Sequence, residues 1–142
     1  MASGRQGERP LILLIDDDPD CRQDLGEALS ACGLRPLTAE SGQRGLELLK
    51  QCDIAAVITD WQMPGMDGLA VAEAVRGAGC GAPVVLITGA ADWRRVAQAA
   101  RARGVRRCFR KPLDLRALLD CLRGIIGDDW GDGRATAGAR PE

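Results

Sequence analysis

The sequence contains no histidine and no tyrosine, and its 142 residues include one phenylalanine and three tryptophans. The missing imidazole excludes histidine acid–base catalysis, a Ser-His or Cys-His nucleophile pair, and histidine metal ligands. Carboxylates and other oxygen groups are left to carry any chemistry. Six cysteines, at 21, 32, 52, 80, 108 and 121, stand far apart with no C-x-x-C pair, so neither a zinc site nor a dithiol redox motif is signalled. They read as small buried hydrophobes and free thiols. The longest apolar runs, such as Leu11 to Ile15 and Pro83 to Ile87, fall far short of the roughly 20 residues a membrane helix needs. No basic-apolar-small leader precedes them. A reducing, cytoplasmic setting is therefore expected, with no membrane association.

The hydrophobic set makes up 46% of the chain, with 20 acidic against 19 basic residues, as expected of one domain large enough to stand without disulfides or a structural metal. The charge balance conceals a division. Leu11 to Asp60 holds ten acids and four bases, whereas Trp61 to Gly127 holds five acids and eleven bases. Eight of those bases, Arg94, Arg95, Arg101, Arg103, Arg106, Arg107, Arg110 and Lys111, occur without an intervening acid. Such a stretch fits a solvated helix face better than a DNA surface, because no nucleic-acid recognition motif accompanies it, and direct DNA binding is not expected.

Residues 1–10 and 128–142 are polar or small and are expected to be disordered, leaving 11–127 as the domain. Within it, Leu11 to Ile15, Ile54 to Thr59 and Val84 to Thr88 are continuous apolar runs suited to strands buried on both faces. Leu34 to Ala39 and Arg107 to Arg110 are shorter candidates. Helical spacing fills the gaps: Leu25, Leu29 and Cys32; Leu46 and Leu49; Leu69, Ala72 and Val75; Val96 and Ala100; Leu115, Leu118, Leu119 and Leu122. Pro19, Ser41, Asp67, Asp92 and Asp114 stand at helix starts, and Gly33 and Gly104 at helix ends. The alternation predicts a (βα)5 α/β fold, a doubly wound parallel sheet of five strands with helices on both faces. Ligand-handling residues belong at the carboxyl ends of such strands.

Four of those ends carry suitable groups: Asp16 and Asp17 after the first strand, Asp60 after the third, Thr88 closing the fourth, and Lys111 after the fifth. Taken singly, the aspartates pass for helix caps, the threonine for a strand-end residue and the lysine for a solvated charge. In order, Ile15-Asp16-Asp17-Asp18-Pro19, Thr59-Asp60-Trp61-Gln62-Met63-Pro64-Gly65-Met66-Asp67-Gly68, Leu86-Ile87-Thr88-Gly89 and Lys111-Pro112 resemble the receiver domain of bacterial response regulators, the CheY-like modules of two-component signalling. The likeness spans nearly all of 11–127. It implies a flavodoxin-like three-layer sandwich with strand order 2-1-3-4-5 and a cis peptide before Pro112. It also implies phosphorylation of Asp60 by a sensor histidine kinase or phosphotransfer protein.

The physics of the cluster agrees. Carboxylates about 4 Å apart repel by roughly 4 kcal/mol per pair at an effective dielectric near 20, so such a group must bind a cation or take up protons. Magnesium prefers oxygen ligands and keeps several waters, which suits Asp17 and Asp60 directly and Asp16 through water. The resemblance adds the backbone carbonyl of Gln62. Asp60 is the expected phosphoacceptor, Lys111 a fixed positive charge for one phosphoryl oxygen, and the Thr88 hydroxyl a donor to another. Asp18 and Asp20 read as caps, Met63 and Met66 as packing residues, and Trp61 as a part-exposed neighbour of the acceptor.

The resemblance further implies a switch in which Thr88 moves toward the phosphoryl group and an aromatic on the fifth strand turns inward. The aromatic position is Cys108, which has no ring, and strand alternation points the next residue, Phe109, to the opposite face. Gln62 and Ala90, two residues after the acceptor and the threonine, flank the phosphoryl position. The basic stretch covers the fourth helix and fifth strand, the face through which receivers dock partners. An acidic downstream protein is the expected partner; a homodimer stays open but is disfavoured by like-charge repulsion. With no output segment recognised after the domain, a stand-alone receiver is expected, confined to chemistry on its own aspartate and not an enzyme for other substrates. Two rival readings share these residues: a receiver-like binding module that works without phosphate, and a magnesium-dependent aspartate-nucleophile phosphatase. The phosphatase would need D-x-D-x-T/V near the first strand, which Asp16 to Asp20 does not complete.

Overall fold

The apolar runs become strands and the periodic stretches become helices. The computed structural model describes residues 9–127, so most of both expected disordered ends lies outside the described residues. In chain order the elements are β1 (Leu11–Ile15), α1 (Pro19–Ala31), β2 (Arg35–Ala39), α2 (Gly42–Gln51), β3 (Ala56–Asp60), α3 (Gly68–Gly77), β4 (Val84–Thr88), α4 (Trp93–Ala102), β5 (Arg107–Arg110) and α5 (Leu115–Ile126). All strand pairs are parallel and their order is β2-β1-β3-β4-β5, the flavodoxin-like arrangement expected.

Two cores explain why the three central strands are so apolar. On one face Leu13, Ile15, Val57, Val84 and Leu86 pack against α2, α3 and α4 through Leu48, Val71, Val75 and Val96. On the other, Ile12, Leu14, Ile58, Val85, Ile87 and Phe109 meet Leu29 of α1 and Leu118 and Leu122 of α5. Alternate residues of β1, β3 and β4 thus feed opposite cores, while the edge strands β2 and β5 keep Arg35, Thr38, Arg107 and Arg110 exposed. Among the described residues no helix is long and apolar enough to cross a membrane.

Helix boundaries follow local chemistry. The side chains of Asp18, Ser41, Asp67 and Asp114 each accept a backbone N–H in the first turn of their helices. Asp92 stands at the same position before α4 without a side-chain cap bond. After α1, Gly33 adopts φ 97°, which lets Leu34 N–H donate back to the Leu29 carbonyl and turns the chain into β2.

The third strand differs from its expected limits. It starts at Ala56 rather than Ile54 and includes Asp60 as its last residue. The cause is register: β3 joins β1 at Ile12↔Ala56, and Asp60 pairs with Ile87 of β4. The second strand likewise begins at Arg35, one residue later than expected. For the site the first difference matters, because Asp60 is fixed in the central ladder rather than carried on a loop.

Candidate functional site

β1 lies between β2 and β3, so the connections leaving β1 and β3 diverge and open a crevice at the carboxyl edge of the sheet. Ladder bonds set its walls. Asp16 N–H donates to the Ala39 carbonyl (3.1 Å), Trp61 N–H to Ile87 (2.9 Å) and Lys111 N–H to Thr88 (2.8 Å). The backbone of every strand-end residue is thereby held before its side chain is considered.

Asp16, Asp17 and Asp60 each bring a carboxylate oxygen into one group, all within 4.8 Å of one another. Asp16 and Asp60 are buried and Asp17 is exposed, so the group opens to solvent on one side. Three oxygens at this spacing suit a hard divalent cation that retains water. Lys111 Nζ lies 3.0 Å from Asp60 Oδ1. Thr88 is buried, and its Oγ1 accepts from Ala90 N–H at 3.0 Å, which leaves the hydroxyl proton to be donated elsewhere. The structure therefore brings Asp16, Asp17, Asp60 and Lys111 together, and places Thr88 at the end of the neighbouring strand β4, its carbonyl accepting from Lys111 N–H. Gln62 sits exposed on the connection after β3. The Lys111–Pro112 peptide is cis, as the resemblance implied.

Cys108 lies half-buried on the α2–α3–α4 side of the sheet and Phe109 is buried on the opposite side, as alternation required. Burial pushes the Cys108 thiol up, so it remains protonated and unreactive near neutrality. All six cysteines are free as expected, but they are not the buried hydrophobes expected: Cys21 and Cys80 are exposed, and Cys32, Cys52, Cys108 and Cys121 are half-buried. Met63 is buried, and Met66 packs against the same core. Trp61 is half-buried beside the acceptor, and its Nε1 is enclosed without a hydrogen-bond acceptor.

Sequence reasoning missed three supporting residues. Thr59 Oγ1 donates to the Asp60 carbonyl at 3.0 Å, Arg22 Nη1 donates to the Asp16 carbonyl at 2.7 Å, and Gly68 touches the acceptor's backbone. The hydroxyl of Thr59, alone in an apolar strand, was a readable signal. The other two arise from how α1 and α3 return to the sheet, and the linear order does not contain that.

Burial raises the pKa of Asp16, and the charges of Asp60 and Asp17 add to the rise against the opposing Asp18 N–H and Lys111. Burial also raises Asp60, with Asp17 adding to it and Lys111 opposing. For Lys111 burial alone would lower the pKa, but the Asp60 and Asp16 carboxylates outweigh it and hold the ammonium charged. The sign for stability follows. A carboxyl whose folded pKa is raised favours folding while protonated, and that contribution is lost as pH rises through the folded value. At neutral pH without a cation the pair of buried carboxylates is a net cost. Asp16→Asn keeps an oxygen for Asp18 N–H and removes one charge. In chelator at pH 7 it should raise stability by on the order of 1 kcal/mol, roughly 3–6 °C in Tm, with a smaller gain in acid. Thermal unfolding followed by circular dichroism at both pH values checks this; an unchanged or lower Tm at pH 7 contradicts it.

Comparison with known proteins adds independent findings. Residues 12–123 match the family model described as the response regulator receiver domain. The chain is 37% identical over 116 residues to the C4-dicarboxylate transport transcriptional regulatory protein DctD of Pseudomonas aeruginosa, covering 81% of this chain and 25% of that protein. It is 34% identical over 112 residues to the sensor histidine kinase RcsC of Salmonella typhi, covering 79% and 12%. The chain thus spans a quarter or less of these relatives. Among solved structures, a response regulator receiver domain protein from Clostridium thermocellum superimposes with a TM-score of 0.77 at 28% identity, covering 82% of this chain and 94% of that one. The response regulator TrrA of Thermotoga maritima, solved with Mg2+ and BeF, gives 0.74 at 28% identity, covering 82% and 99%.

Proposed function

The chain belongs to the response regulator receiver family, and from that premise we propose that it accepts a phosphoryl group on Asp60 from a phosphohistidine of a sensor kinase or phosphotransfer protein. The observation that carries this reading is the meeting of three carboxylates and an ammonium at the carboxyl edge of the sheet, where the buried Thr88 closes the adjacent strand. The donor histidine must come from the partner, because this chain has none. A carboxylate oxygen of Asp60 attacks phosphorus; the N–P bond of the donor breaks as the O–P bond forms, and the departing imidazole nitrogen takes a proton from solvent.

Asp16, Asp17 and Asp60 would hold Mg2+, with the Gln62 carbonyl as a further oxygen ligand. When bound, the ion neutralises charge on the phosphoryl oxygens. The TrrA complex supports the same metal here. Lys111, already against Asp60, turns its charge to a phosphoryl oxygen, and Thr88 donates its free hydroxyl proton to another. Gly89 offers no side chain beside them, and a Cβ there would lie 3.5 Å from the Lys111 Cδ.

The same reading makes the protein a cytoplasmic, bacterial signalling module that signals by altered protein contacts at the α4–β5–α5 face. Its chemistry stays on its own aspartate. Cys108 lacks the ring the family's coupling uses, so Thr88 must act on α4 through backbone and packing alone.

Incubation with phosphoramidate and magnesium, followed by intact-mass measurement, tests the proposal. One added phosphoryl group is expected, and none in chelator. Steady hydrolysis of unrelated phosphomonoesters would favour the phosphatase reading. A protein left unmodified, with a melting temperature insensitive to magnesium, would favour the phosphate-independent binding module.

A further inference from the structure

The three carboxylates of the crevice are not held alike. Asp16 Oδ1 accepts from Asp18 N–H at 3.0 Å, and Asp60 Oδ1 lies 3.0 Å from Lys111 Nζ. Asp17 is exposed, and among the described residues its carboxylate has neither a hydrogen bond nor an ion pair. Its aim into the group is therefore set by the main chain on which it stands, above all by the plane of the peptide joining Asp16 to Asp17.

That peptide is gripped from α1. The Asp16 carbonyl accepts from Arg22 Nη1 at 2.7 Å, the short distance of a charge-assisted bond. Arg22 is itself anchored, because its backbone N–H donates to the Asp18 carbonyl at 2.9 Å in the first turn of the helix. The half-buried side chain reaches back six residues and spans the turn that carries Asp17. On the other side, Asp16 N–H is held by the Ala39 carbonyl of β2 at 3.1 Å. Asp16, Asp17, Asp18 and Asp20 all stand nearby in sequence, yet no carboxylate lies within 4.0 Å of Arg22 among the described residues. The guanidinium is directed at a backbone oxygen instead.

We infer that Arg22 is a positioning residue for the cation site: it locks the Asp16–Asp17 peptide so that the Asp17 carboxylate stays turned into the crevice beside those of Asp16 and Asp60. This role rests on the reading of that group as a divalent-cation site, and it falls to a side chain that contacts none of the three carboxylates. With the Asp16 carbonyl released, the peptide turns about the two soft bonds that flank it, and the exposed Asp17 side chain swings to water. An ion must then restore the orientation as it binds, which weakens its affinity. The sign of the effect separates positioning from charge. By Coulomb's law alone, deleting a guanidinium near three carboxylates would tighten the binding of a cation. Loss of aim loosens it.

Titration of the full chain with Mn2+ tests this, the unbound ion being read by electron paramagnetic resonance in the absence of phosphodonor. Arg22→Met should raise the dissociation constant about tenfold, the usual effect of removing a partner that orients a metal ligand. Because the contact uses one N–H, Arg22→Lys should recover most of the loss. Asp17→Asn should weaken binding by itself, and adding Arg22→Met to it should change the affinity by less than about twofold, since the arginine acts through Asp17. With phosphoramidate, Arg22→Met should need about tenfold more Mg2+ for half-maximal uptake, yet at saturating Mg2+ react within about twofold of the unsubstituted rate. Gln23→Met, exposed next to it with a bond to Glu27 to lose, is the control and should change neither quantity. An Arg22→Met protein with unchanged or tighter Mn2+ affinity, no recovery with lysine, losses that add in the Asp17→Asn background, or a parent protein that binds no Mn2+ overturns the proposal. Circular dichroism confirms that each variant is folded. Because the Mn2+ titrations use no phosphodonor, failure of phosphoryl uptake would sink the phosphoacceptor reading and leave the metal result standing.

Discussion

Asp60→Asn should abolish phosphoryl uptake from phosphoramidate entirely while leaving a folded protein. An amide oxygen is a poor nucleophile, and the substitution also removes one of the three carboxylates at the crevice. The fold should survive because the backbone of residue 60 is held by the β3–β4 register and by the Thr59 hydroxyl, neither of which needs the carboxylate. One ambiguity has to be separated: uptake could fail through lost metal binding rather than a lost nucleophile. Lys111→Gln resolves it. It leaves all three carboxylates in place and removes only the ammonium 3.0 Å from Asp60. Its rate constant should fall roughly 100- to 1,000-fold, the usual effect of deleting one fixed partner of a developing charge, with the magnesium-induced rise in Tm retained. Time-resolved intact mass gives the rates. A phosphorylated Asp60→Asn protein would place the acceptor elsewhere, and an unimpaired Lys111→Gln protein would remove the lysine from the chemistry.

Gly68→Ala should be the most damaging small substitution in the domain. A Cβ at Gly68 would fall 2.6 Å from the Asp60 carbonyl oxygen, 3.0 Å from Trp61 Cα and 2.5 Å from Leu86 Cδ1. Two of these neighbours are backbone and cannot rotate away, and Gly68 N–H donates to the Trp61 carbonyl at 2.8 Å. The start of α3 must therefore separate from the end of β3, at a cost of roughly 1–3 kcal/mol. Catalysis should suffer further, since a displacement of about 1 Å at the acceptor is worth around 100-fold. Chemical denaturation and phosphorylation rate measure the two effects. Gly77→Ala is the control: it lies at the end of the same helix with nothing within 4 Å of the added carbon, and should be neutral or stabilising by up to about 1 kcal/mol. Similar behaviour of the two variants would show that contact at the acceptor is not what Gly68 is for.

Much of the site was readable in linear order because receiver chemistry sits where strands stop. A strand buried on both faces must be apolar, so the first charged or hydroxylic residue closing such a run stands out; Asp16 and Thr88 were found that way, whereas Lys111, after the arginine-bearing β5, was found through the Lys111-Pro112 pair of the resemblance. Asp60 was found too, but as a loop residue, because composition cannot reveal the register that carries β3 one residue further. Thr59, Arg22 and Gly68 were not found as parts of the site. Each acts on a neighbour's carbonyl, and a residue's backbone contacts depend on where helices return rather than on residue type.

By itself the sequence determined the alternation of strands and helices, the acids and lysine available for chemistry, the lack of any internal histidine donor, and the absence of a ring at position 108. Those follow from residue type and period, which are local properties. Tertiary structure alone decided that three carboxylates lie within 4.8 Å, that Lys111 pairs with Asp60, and that Arg22 reaches back to the Asp16 carbonyl. The physical reason is that charge, burial and shape act through distance in space. Residues 16, 60 and 111 become neighbours only when parallel pairing places the ends of β1, β3 and β5 along one edge.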